Sequence, residues 1–226
     1  MADNKIFSVE PTERRQVVEK LIVESSPLRS FFMMVILSTA LATLGLLIDN
    51  IPVVIGAMLV APLLSPVLCT GMGIVIFDVK LIRRSIISII KAVFIAVVTA
   101  AVIGFLTQSN HNGLGLVMQL KPTIIFVYIA FVSGLAAAYA WGNPRMTEAL
   151  PGVAISVTLI PPLAGIGIGL ALFNWQIIAD TLMLLLINLV CIILMSILVF
   201  QFMGFYKERR SAERAIKKEE KILKQE

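Results

Sequence analysis

The sequence predicts an all-α integral membrane protein: six transmembrane segments forming two inverted three-helix repeats with Pro-broken second helices, plus short cytoplasmic N- and C-terminal helices. Three observations predict it. Hydrophobic residues make up 58% of the 226 residues and the mean hydropathy is +0.95, which excludes a water-soluble surface for most of the chain. Lys and Arg recur in alternate loops between six apolar segments, each near the ~20 residues that cross ~30 Å of hydrocarbon. A gapless shift of 96 residues also lays Gly56 to Asp78 on Gly152 to Asn174, with identities at Gly56/Gly152, Leu63/Leu159, Pro66/Pro162, Gly71/Gly167, Gly73/Gly169 and Phe77/Phe173. These six identities in 23 positions compare with roughly two expected by chance in such a composition. Four are Gly or Pro, so what the halves share is a main-chain conformation more than a hydropathy average.

Residues 1–29 form a mixed-charge head with no apolar stretch of signal-peptide length, so the N-terminus is expected to be retained. Within it, Pro11 to Ser25 has helix chemistry: Pro11 suits a first turn, and Val17, Val18, Leu21 and Ile22 make an apolar stripe among Glu13, Arg14, Arg15, Glu19 and Lys20. An interfacial helix packed on the membrane domain is expected, and Ser25-Ser26-Pro27 ends it.

The apolar segments fall at about 30–48, 51–77, 84–106, 121–141, 149–173 and 178–204. Repeat 1 is then 30–106 and repeat 2 is 121–204, joined by an extracytoplasmic loop over 107–120. The head carries Lys5, Arg14, Arg15, Lys20 and Arg29; Lys80, Arg83 and Arg84 mark the second basic loop, Arg145 the third, and eight Lys and Arg follow Gly204. The intervening links hold only Lys121, which places both termini in the cytoplasm. Lys91 is close enough to that face to snorkel. At the same shift, Ser38, Ala40 and Ala42 meet Gly134, Ala136 and Ala138, small-residue faces in both copies. Three segments per copy is an odd number, so the second copy enters from the opposite side. The tail, 205–226, is read as a solvated helix continuing from the last span; a loose oligomerising bundle is the other outcome.

Proline inside a helix removes an N–H and pushes off the carbonyl four residues earlier. Pro62 and Pro66 would free carbonyls at Met58 and Pro62, and Pro161 and Pro162 those at Val157 and Thr158. Ser65, Thr70, Ser156 and Thr158 stand where they can satisfy such groups. With Gly71 and the mid-segment amide of Asn188, which is either interhelical glue or site-lining, these residues are the candidate lining of a site near the bilayer midplane. No carboxylate lies mid-segment. Neither a catalytic constellation nor a cofactor motif is present: His111 stands alone in a polar loop, and Cys69 and Cys191 read as small core residues rather than metal ligands.

Gly56-Ala57-Met58-Leu59-Val60-Ala61-Pro62-Leu63-Leu64-Ser65-Pro66 and Leu159-Ile160-Pro161-Pro162-Leu163-Ala164-Gly165 resemble the signature segments of an uncharacterised prokaryotic hydrophobic membrane family, domain of unknown function 389, over about residues 35–200. The resemblance implies a multi-pass protein of the plasma or inner membrane of a bacterium or archaeon, and no activity. Some members carry a longer soluble N-terminal region, so a role residing there is not expected of this short head. The function expected is a transporter or channel for a small solute or ion, not an enzyme. Its partners are the lipid bilayer and further copies in a homo-oligomer, with no nucleic acid, since the +5 charge sits at the ends and in loops. The alternative is a membrane scaffold or sensor that recruits a cytoplasmic partner through its terminal helices.

Overall fold

The computed structural model describes residues 9–107, 114–144, 146 and 159–223. Its elements are α1 (Pro11–Glu24), α2 (Arg29–Leu47), α3 (Ile51–Val60), α4 (Leu64–Val75), α5 (Val79–Leu106), α6 (Gly115–Gln119), α7 (Ile124–Gly142), α8 (Ile160–Ala171), α9 (Trp175–Phe202), a 3-10 turn (Phe205–Lys207) and α10 (Arg209–Leu223). Among the described residues α2, α5, α7 and α9 are long and apolar enough to cross a membrane, and α3 with α4 makes a bent pair of similar hydropathy. α8 is apolar but short; residues 147–158, where the first half of the fifth segment was expected, lie outside the described residues, as does His111.

Side-chain size is sorted opposite to the way water sorts it. The inner face of α5 is Leu81, Ser85, Ser88, Ala92, Ala96, Ala100 and Gly104, while Phe94 is 69% and Phe105 62% exposed. Small residues let helix backbones approach, and large apolar ones are left for hydrocarbon. This is the surface of a membrane-embedded protein.

The same turn is built three times. Asp49, Phe77 and Phe173 take left-handed φ of 50°, 55° and 52°, and the following N–H reaches back to Gly45, Gly73 or Gly169 at 2.8, 3.0 and 2.9 Å, closing the preceding helix. The next side chain then caps the helix that follows: Asn50 accepts from Val53 N, Asp78 from Lys80 N and Leu81 N, and Asn174 from Gln176 N and Ile177 N. Because Asp78 and Asn174 are caps, α5 and α9 begin at Val79 and Trp175, several residues before the expected 84 and 178. Lys80 and Arg83 are therefore helical rather than loop residues.

Repetition is carried by bounds and burial more than by identity. α4 and α8 have 12 residues each and α5 and α9 have 28, all offset by 96. Ile74 and Leu170 are the one unburied residue of α4 and of α8, and every buried position of α5 has a buried counterpart in α9. α2 and α7, 19 residues each, are offset by 95. Each buried residue of α7 is 95 beyond a buried residue of α2, so Ser38 corresponds to Ser133 and Ala42 to Ala137, one residue from the pairing read off the sequence. One residue is a 100° rotation of a helix, so only the 95 offset keeps the same face inward.

The tail does not continue the last span. Gly204 is left-handed at φ 79°, Phe205 is buried against Phe200, and α10 turns back to pack its Ala212, Ala215 and Ile216 along α1. α1 in turn lies on α4, burying Val17, Val18, Leu21 and Ile22. At the other end of the molecule Asp49 accepts hydrogen bonds from Gly115 N at 3.2 Å and Leu116 N at 2.7 Å, fixing α6.

Candidate functional site

Ala61 precedes a proline and is driven out of the helical region to ψ 123°. Pro62 has no N–H to return to Met58, whose carbonyl accepts instead from Ala61 N at 3.4 Å. α3 therefore stops, α4 starts at Leu64 without a side-chain cap, and the axes diverge by 49°. The wedge between them is a cavity of about 580 Å³ lined by Val60, Ala61, Pro62, Leu64 and Ser65 of the break, Phe31 and Met34 of α2, Trp141 of α7, and the α1–α2 corner from Val23 to Ser30.

Its polar rim comes from the head. Glu24, the last residue of α1, accepts from Ser65 Oγ at 3.3 Å through Oε2 and lies 4.0 Å from Lys20 Nζ through Oε1. The Glu24 side chain is 41% exposed. Partial burial pushes its carboxyl above the usual range, with Lys20 and the Ser65 hydroxyl opposing the shift. Lys20 Nζ also sits 5.3 Å over the Trp141 ring. Ser26 donates to Ile22 O at 2.8 Å and accepts from Arg84 Nη2 at 2.7 Å, so a guanidinium from α5 braces the corner from behind.

The two proline segments adjoin, since Leu63 and Val67 and their 96-offset counterparts Leu159 and Leu163 line one small apolar pocket with Ile89, Val93, Leu185 and Leu189, but the prolines themselves face different cavities. Pro161 and Pro162 line a different cavity, about 260 Å³, with Leu46, Ile51, Val54, Leu116, Leu120, Phe126 and Leu184. The first cavity touches the N-terminal end of α2 at Phe31 and Met34 and the second its C-terminal end at Leu46; Met34 and Leu46 are ~18 Å apart along that helix. Yet parts of the two linings correspond. Ser65 matches Pro161 at the 96 offset, and at the 95 offset that relates α2 and α7 Phe31 matches Phe126 and Leu46 matches Trp141. The first cavity is lined by Glu24, Ser26, Ser30 and Ser65, whereas the second has Gln119 as its polar side chain.

Other sequence candidates take different places. Pro66 and Pro162 are both third residues of their helices, where a missing N–H costs nothing, so Pro66 starts α4 rather than breaking it, while the carbonyls of Val157 and Thr158, expected to be freed by Pro161 and Pro162, lie outside the described residues. Pro161 likewise lies in the first turn of α8. Thr70 is buried and bonds back to Pro66 O at 2.9 Å. Gly71 admits Ser196 of α9, as Gly167 admits Ala100 of α5, equivalent contacts with the partners exchanged. Asn188 is buried on the inner face of α9 at the position equivalent to Ala92 and lines neither cavity. Ser156 and Thr158 lie outside the described residues. Glu24, Lys20 and Trp141 were not singled out as site residues, because no local pattern in the head or in α7 joins them to the Pro62 break.

A family described as "Domain of unknown function (DUF389)" matches residues 58–194. An uncharacterized protein of Methanocaldococcus jannaschii is 26% identical over 205 residues, covering 87% of this chain and 64% of that protein. The chain thus spans less than two thirds of the length of this relative. No solved structure matches. The family match contains both proline sites and Trp141 but starts after Lys20 and Glu24.

Proposed function

This chain belongs to the DUF389 family, and on that premise we propose that it moves a small solute or ion across a prokaryotic cell membrane, by two inverted repeats with both termini in the cytoplasm. The observation that carries the proposal is the pair of corresponding cavities at opposite ends of α2. Related copies of opposite orientation put equivalent openings on opposite faces, as alternating access requires. The exchanged contacts Gly71–Ser196 and Gly167–Ala100 support a two-fold relation between the copies. The polar cavity at Pro62 is the entry assigned to solute, in place of one midplane site shared by both proline pairs. Lys91 stands exposed on the outer face of α5, ~18 Å along it, and a second copy in a homo-oligomer would cover it. The scaffold alternative finds less support, because the apolar faces of α1 and α10 are buried within the chain.

Orientation is tested with the equivalent residues Val79 and Trp175, 75% and 76% exposed. Against a background in which Cys69 and Cys191 are buried, Val79→Cys should react with a membrane-impermeant thiol reagent only from the inside and Trp175→Cys only from the outside. Labelling of both from one face would refute inversion. Transport is tested by a solute-screened flux assay in proteoliposomes: modification of Ser65→Cys should block whatever flux is found, while the same modification at Ile90, 61% exposed on α5, should not. Flux that survives a fully modified Ser65→Cys removes the cavity from the path.

A further inference from the structure

We infer that the cavity at the Pro62 break binds an organic ammonium compound with an apolar body, and that Lys20, reaching in from beside the cavity, competes with it for the Glu24 carboxylate and the Trp141 ring. The inference deepens the transport proposal and rests on it for its biological role. At about 580 Å³ the cavity has the size of small-molecule sites and is far larger than a bare metal ion needs. Its walls, Phe31, Met34, Leu59, Val60 and Trp141, suit an apolar body.

The rim selects charge. Ser65 commits its hydrogen to Glu24, and Ser26 commits its own to Ile22 O, so these hydroxyls have no hydrogen left for a ligand. With the Glu24 carboxylate they offer acceptors on one side of the rim, which a donor-rich cation satisfies. Lys20 already shows the geometry: its Nζ lies 4.0 Å from Glu24 Oε1 and 5.3 Å over the Trp141 ring, the carboxylate-plus-aromatic pairing that holds ammonium ligands. The Lys20 side chain is 49% exposed and leaves the position at little cost. Among the described residues, none of the nearby cations is part of the lining: Arg84 stands behind Ser26, Arg29 lies between the lining residues Leu28 and Ser30, and Lys20 belongs to the adjoining pocket beside Gln16 and Asn143.

The test measures binding of 2-phenylethylammonium to the full chain in lipid nanodiscs, with 3-phenylpropionate and 2-phenylethanol as the anionic and neutral comparisons. The ammonium compound should bind at least about tenfold more tightly than either. Lys20→Gln should tighten it several-fold by removing the competitor, while Glu24→Gln should weaken it about tenfold or more, as loss of a hydrogen-bonded charge does. Were the cavity an anion site, Lys20→Gln would weaken binding and 3-phenylpropionate would bind best; either result overturns the inference. So does absence of ammonium binding in both the native chain and Lys20→Gln, which does not depend on the folding of the Glu24 variant. If another solute's flux is blocked at modified Ser65→Cys while no ammonium binds, the inference fails and transport stands. Ammonium binding with no flux supports the inference and removes transport.

Discussion

Gly167→Ala should lower the thermal stability of the protein in detergent while Gly56→Ala raises it, although the two substitutions add the same methyl group to helices of one repeat motif. A Cβ on Gly167 would fall on Ala100 Cβ and come within 2.7 Å of Ala101 N and 2.8 Å of Val97 O. The last two are backbone atoms of α5, so relief requires separating α5 from α8 along one of the largest helix contacts in the fold. Overpacking of this kind costs about 1–3 kcal/mol, more than the ~1 kcal/mol that alanine returns in helix propensity. In a membrane, close backbone approach is itself a main source of helix association, which adds to the loss. At Gly56 nothing lies within 4 Å of the added carbon, leaving only the gain of about 0.5–1 kcal/mol. Gly167→Val should prevent assembly of the α5–α8 pair altogether. Shifts of the same sign for the two alanine variants would mean that the α5–α8 approach is not as close as described.

Gly56 and Gly167 belong to one set of matched glycines in the sequence, and nothing there separates a packing glycine from a free one. The separation lies in what stands opposite, Ala100 in one case and open space in the other, and that is a tertiary fact. Hydropathy and spacing did reveal the long apolar helices, and the 96-residue offset fell on α4, α5, α8 and α9 because those helices keep their bounds. It failed by one residue on α2 and α7, where alanines and glycines at many offsets give apparent matches and only burial fixes the rotation. The role of proline was legible at Pro62, whose predecessor must leave the helix. It was misread at Pro66, because the same residue is harmless three positions into a helix and disruptive in its middle. Glu24 lay hidden in a head read as amphipathic. Its significance comes from Ser65, 41 residues away, and no local pattern joins them.

Arg14→Leu should detach α10 from α1 and lower global stability, the second large effect expected. Gly204 ends α9 in a left-handed turn, and Arg14 Nη1 reaches that end, donating to Gly204 O at 3.2 Å and to Met203 O at 3.4 Å. A cation there satisfies terminal carbonyls and complements the helix dipole. A Cβ at 204 would lie 2.6 Å from Arg14 Nη1, so glycine serves the approach as well as the turn. Arg14 Nε and Arg15 Nε lie 4.0 and 3.6 Å from the Glu208 carboxylate, whose side chain is only 7% exposed and also accepts from Ser211 Oγ at 2.9 Å. Removing Arg14, itself 14% exposed, leaves Glu208 buried with the Ser211 hydroxyl and one cation that is largely in solvent, and breaking a buried pair in this way costs up to about 3–5 kcal/mol. The double variant Arg14→Leu with Glu208→Leu should therefore lose less than the sum of the two single changes, with a coupling of about 1–3 kcal/mol. Thermal unfolding gives the cycle, and amide hydrogen exchange over Arg209–Leu223 shows whether α10 alone is released or the membrane core loosens with it. Additive losses, or unchanged protection of α10 in Arg14→Leu, would mean that the tail is held by the apolar contacts of Ala212, Ala215 and Ile216 and that the charges merely sit beside them.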